Sequence, residues 1–142
     1  MPIQVIATEG VLTESAEQEV FAKLTELLLE LNGLSGNKFM TPNVIGEVTL
    51  VPKGRTFSGG KPMALVIFEL KVLSMVLPNR DLQRAWIDRG TTIILEAAAG
   101  KVTKDRIWGN VVHAVDGLWG INGHAYTNTE LGAVLSGQST PY

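Results

Sequence analysis

The 142-residue chain contains no cysteine, which removes disulfides, thiolate chemistry and zinc–sulfur sites from consideration. It has only two histidines, His113 and His124, without a clear carboxylate at ligand spacing, so no metal and no other cofactor is expected. Positive charge is scarce too. A formal net charge of −2 and a pI near 5.7 give no electrostatic reason to expect nucleic acid as a partner. The densest basic group, Lys101, Lys104 and Arg106, reads as a solvated loop. No basic segment runs into a long apolar stretch, so neither signal peptide nor membrane span is expected, and a cytoplasmic location is the default. The glycine-containing stretch 52–60 lacks the GxxxxGK[ST] order of a phosphate loop.

What is present suits one domain. Hydrophobic residues make up 45% of the chain, enough for a modest core. Residues 3–8 read as a strand. Ala16, Val20, Leu24, Leu27, Leu28 and Leu31 then recur at three and four, predicting a helix capped by Thr13 or Ser15 and closed by Asn32-Gly33. A second strand is expected over 44–51 and a third over 63–73, with Glu69 and Lys71 on one face and Ala64, Val66, Phe68, Leu70 and Val72 on the other. A second helix is expected over 81–99, burying Leu82, Trp86, Ile93, Ile94 and Ala97 despite Gly90, which costs about 1 kcal/mol relative to alanine. A fourth strand over 106–115 and an aromatic hairpin over 119–126 follow.

This is strand–helix–strand twice: an α/β (α+β) fold of one domain over 1–142, with pseudo-repeats 1–61 and 62–127 and a loose tail over 128–142. Crossovers of this length give parallel pairing within each unit. Two units side by side make a four-stranded sheet with both helices on one face, and strands apolar on both sides then predict an oligomer.

Pro2 stands at the first residue of the first strand, where proline is tolerated. Cells usually remove an initiator methionine that precedes a small residue. With Met1 gone, Pro2 would be a secondary amine on a rigid ring, its pKa lowered by burial, suited to act as base, acid or nucleophile toward a carbonyl at neutral pH.

The Pro2 start, the duplicated β-α-β order, the connection ending Phe57-Ser58-Gly59-Gly60 and the aromatic hairpin together resemble the tautomerase superfamily over about residues 1–127. The likeness is to its fused double-unit members such as malonate semialdehyde decarboxylase and cis-3-chloroacrylate dehalogenase. It implies a homotrimer in which Pro2 is the catalytic amine. It also implies a water- or carbonyl-orienting role for Asn37, a pocket position for Asn110 and an aromatic wall at Trp119. Family arginines that bind carboxylates are missing: Val11 or Leu12 stands at one such position, and the third strand runs out as Lys71 to Val76 with no arginine before Arg80. Ile121 and Leu28 stand where dehalogenase-like members carry a glutamate and a histidine. Lys71, Arg55, Arg80 and His124 are the remaining candidates for substrate contact, with a Glu69–Lys71 ion pair as the simpler role for Lys71. His113 reads as a satisfied core or interface histidine. The expected activity is proton transfer by Pro2 on a small, mostly neutral or monoacid carbonyl compound. Decarboxylation of a 3-oxo acid, hydration, and a non-catalytic trimer are the alternatives.

Overall fold

A computed structural model describes residues 1–141. In chain order the elements are β1 (Pro2–Thr8), α1 (Glu14–Leu31), β2 (Ile45–Val51), β3 (Phe57–Ser58), β4 (Lys61–Pro62), β5 (Val66–Leu73), α2 (Arg80–Ala97), β6 (Ile107–Ala114), β7 (Trp119–Ile121), β8 (His124–Tyr126) and α3 (Asn128–Leu135). Four strands form a mixed sheet in the order β2-β1-β5-β6, with β1 parallel to β2, β5 parallel to β6, and β1 antiparallel to β5. The expected pairing within each strand–helix–strand unit is therefore present.

Both helices start from side-chain caps: Thr13 Oγ1 accepts from the Ala16 N–H, and Asn79 Oδ1 accepts from the Leu82 N–H. The helices cover the same face of the sheet. Ile3 and Gly46 are register partners, as are Val5 and Phe68. Gly46 lies against the Phe21 ring of α1, while Phe68 lies against Gly90 and Trp86 of α2. Ile3, Val5, Phe68, Leu70 and Val72 are buried there with Val20, Leu24, Leu28, Trp86 and Ile94. Trp86 is core, as its place on the apolar helix stripe predicts.

Two expectations are corrected. The tail is not loose from residue 128: Asn128–Leu135 is helical, held by a reciprocal capping box in which Thr127 Oγ1 accepts from the Glu130 N–H and the Glu130 carboxylate accepts from the Thr127 N–H. Residue 142 of that tail lies outside the described residues. The uncovered sheet face, in turn, is not uniformly apolar. Its middle rung is polar on all four strands, running Glu47, Gln4, Glu69, Asn110. Gln4 Nε2 donates to Glu47 Oε1 at 2.9 Å and Asn110 Nδ2 to Glu69 Oε2 at 2.8 Å. Apolar residues flank it, among them Ile6, Ile67 and Trp108 on one side and Ile45 and Val112 on the other.

Candidate active site around Pro2

Pro2 opens β1 at the sheet end where β5 finishes, because those two strands run antiparallel. Met1 precedes it and is buried, 3% exposed. The Met1 carbonyl accepts from the Ile45 N–H at 3.1 Å, and the Met1 amine donates to the Asn43 carbonyl. Burial lowers the pKa of that amine from its ordinary 8.0 to about 6.

Met1 borders two cavities. One, about 210 Å³, is walled by Asn32, Leu34, Met40, Leu73, Met75, Val76, Leu131, Gly132 and Leu135. The other, about 310 Å³, is walled by Pro2, Asn43, Ile45, Leu118, Trp119, Gly120 and Ile121. Local chemistry sets these walls. Asn37 Oδ1 accepts from the Phe39 and Met40 N–H groups, turning the chain so that Met40 is buried. Asn32 donates to the Leu28 carbonyl and accepts from the Leu77 N–H, tying the end of α1 to the segment after β5. The β7–β8 hairpin turns at Asn122 and Gly123, both at positive φ (52° and 77°), and sets Trp119 opposite Tyr126.

A third cavity, about 240 Å³, lies on the uncovered sheet face, where Pro2, Gln4, Ile45, Glu47, Glu69 and Lys71 are among its walls. Lys71 pairs with Glu69 at 3.5 Å, so its charge is already matched. Asn110 reaches this group only through its bond to Glu69.

Of the residues singled out in the sequence, Pro2 and Trp119 share a cavity, and Lys71 joins Pro2 from the other side. Asn37 lines none of these three cavities; its side-chain oxygen is engaged in its own turn, and the plain turn role accounts for it. Arg55 is exposed in the connection before β3, and Arg80 is exposed at the start of α2. His124 packs edge-on against Tyr126, ring centres 4.5 Å apart, with Nε2 3.8 Å from Glu130. His113 is exposed rather than buried, and its Nε2 meets the Val76 carbonyl at 2.9 Å. Sequence reasoning missed Leu34, Met40, Met75, Leu131 and Leu135. The Thr127-x-x-Glu130 spacing was the available signal for the last two.

No family model matches the chain, and neither does any curated protein. Solved structures do. N1, a member of the cis-3-chloroacrylic acid dehalogenase (cis-CaaD) family, superposes with a TM-score of 0.81 at 13% identity, over 100% of this chain and 93% of that one. A native fused 4-OT gives 0.74 at 17% identity, over 93% and 99%. The F6 fused 4-OT, described as an asymmetric trimer, gives 0.75 at 14%, over 93% and 99%. The fold is that of the tautomerase superfamily.

Four positions that the sequence resemblance set against charged family residues are core in this fold. Val11, Leu12, Leu28 and Ile121 are 3%, 5%, 0% and 7% exposed, so arginine, histidine or glutamate there would be a charge without water. Among the described residues no cluster of three potential metal ligands occurs, and no helix is long and apolar enough to cross a membrane.

The buried Met1 amine makes a prediction for a chain that keeps this residue. Its folded pKa lies below the unfolded value, so between pH 8 and 6 the unfolded chain binds a proton that the folded chain does not. Stability from this source is full above pH 8 and is lost as pH falls through 6. Two pKa units cap the loss at about 2.7 kcal/mol, and residual solvent contact brings it nearer 1–2 kcal/mol. Urea unfolding at pH 8.5 and 5.5 measures it against the formyl-Met1 chain, which cannot take up that proton. Equal pH slopes for the two chains would contradict it.

Proposed function

We propose that this chain is a tautomerase-superfamily enzyme in which removal of Met1 frees the Pro2 amine to move a proton between carbon and oxygen of a small carbonyl compound. The observation that carries this reading is the position of Pro2: first in β1, beside Trp119, at the edge of the space that Met1 fills. In its neutral form, the Pro2 amine would take a proton from the carbon next to the carbonyl and return it to the far end of the enolate. Trp119 and the hairpin would limit water at that step. Lys71, neutralised by Glu69, is a weak candidate for gripping a carboxylate.

A trimer belongs to the same proposal. The fused 4-OT relatives include symmetric and asymmetric trimers. Here Ile45, Trp108 and Val112 are 59%, 45% and 47% exposed on the uncovered face, a surface that neighbouring copies would cover.

Reductive trapping tests the chemistry. Intact mass first establishes that Met1 is absent; propanal with cyanoborohydride is then expected to alkylate Pro2 ahead of every lysine, as read by peptide mapping. A free Pro2 that reacts no faster than surface lysines would favour the non-catalytic trimer instead.

A further inference from the structure

Met1 occupies the ground where a substrate of Pro2 would sit, and its contacts describe what fits there. Its carbonyl carbon is bonded to the Pro2 nitrogen, and its carbonyl oxygen is held by the Ile45 N–H. Its unbranched thioether side chain is buried with Leu34, Met40, Met75, Val76 and Leu131 close by on the cavity wall. None of the wall residues of either cavity bordered by Met1 is charged. The Asn43 carbonyl faces the same space, taking a hydrogen bond from the Met1 amine. A carbonyl oxygen attracts a donor and repels a carboxylate, and burying an unpaired carboxylate costs several kcal/mol.

We infer that the processed chain takes an uncharged carbonyl compound with an unbranched apolar tail. Its carbonyl oxygen lies at the Ile45 N–H and its tail in the cavity closed by α3. The inference rests on Met1 removal as proposed above, but it concerns what binds, not whether Pro2 reacts. Met1 lines both cavities, so its loss would enlarge the space open to a small ligand on either side. Leu135, partly exposed on the last turn of α3, stands at the rim and is the position from which a charge would change the preference.

The test compares 2-decanone with nonanoate, each with an octyl tail on the carbonyl carbon and differing in charge, by calorimetry and thermal shift on the Met1-free chain at pH 7.5. The ketone is expected to bind at least tenfold more tightly and to raise Tm, while nonanoate does not. Leu135→Arg, at a position tolerant of a long side chain, is expected to shift that ratio at least fivefold toward nonanoate. Ile45→Pro removes the N–H at the first residue of a strand, where proline is accepted. It is expected to weaken the ketone at least fivefold, and more than Ile45→Val, which trims the side chain but keeps that N–H. Nonanoate binding as well as the ketone, or no ketone binding to the Met1-free chain, overturns the inference. Selective ketone binding without any adduct at Pro2 would sustain it while the catalytic proposal fails.

Discussion

A chain that keeps Met1, prepared in a host lacking methionine aminopeptidase, is expected to lose about 10³–10⁴ of the enol–keto interconversion rate of the processed chain, the upper range for one positioned acid–base group. Two effects act together. The Pro2 nitrogen becomes an amide with no lone pair for a proton, and the Met1 side chain, 3% exposed, fills the room beside it. Pro2→Ala separates them. It leaves a terminal amine in an open cavity but exchanges a rigid secondary amine for a primary one free to rotate. The expected loss is therefore smaller, about 10–10² in kcat/KM, because orientation and not the base itself is impaired. The ordering processed, Pro2→Ala, Met1-retaining is the readout, with enol substrates followed by loss of ultraviolet absorbance. Equal rates for the processed and Met1-retaining chains would remove Pro2 from the chemistry. A Pro2→Ala loss as deep as retention would show that ring geometry matters more than the presence of an amine.

The parts of the fold that repeat were legible. Period-three-and-four apolar residues marked α1, alternation around Glu69 and Lys71 marked β5, and Asn122-Gly123 turned its hairpin as short-range turn chemistry requires. Pro2 and Trp119, singled out in the sequence, line one cavity in the structure. What escaped was built from distant pieces. Leu34, Met40, Met75 and Leu131 are ordinary apolar residues in sequence, and only the crossing of loops after α1 and β5 with α3 makes them a wall. The polar rung escaped for a related reason. Glu47, Gln4, Glu69 and Asn110 come from four strands, and no single strand contains the pattern. Asn37 could be read both ways, because a turn-forming asparagine and a water-orienting one look alike until the partners of the side-chain oxygen are known; here they are the Phe39 and Met40 N–H groups.

Gly109→Ala should destabilise the fold by about 2 kcal/mol, although alanine ordinarily strengthens a strand by roughly 0.5–1 kcal/mol over glycine. The reason is Phe68. A Cβ on Gly109 would lie 2.4 Å from the Phe68 ring tip, and a Cβ on Gly90 of α2 would lie 2.8 Å from the same ring. The ring is 0% exposed and meets Trp86 at 6.1 Å between centroids, so it has nowhere to retreat. Overpacking of this kind costs about 1–3 kcal/mol and outweighs the backbone gain. Gly90, which looks like a flaw in a helix, is thus the second wall of the slot, and Gly90→Ala should cost a similar amount despite better helix propensity. The decisive comparison is a double-mutant cycle in urea. Phe68→Leu alone costs about 1–2 kcal/mol for a smaller side chain, but Gly109→Ala added to it should cost under 0.5 kcal/mol, because the clash has gone. Strict additivity of the two would mean that Gly109 is required for its backbone and not for the space it leaves, and the slot would lose its role in fixing β5 between α2 and β6.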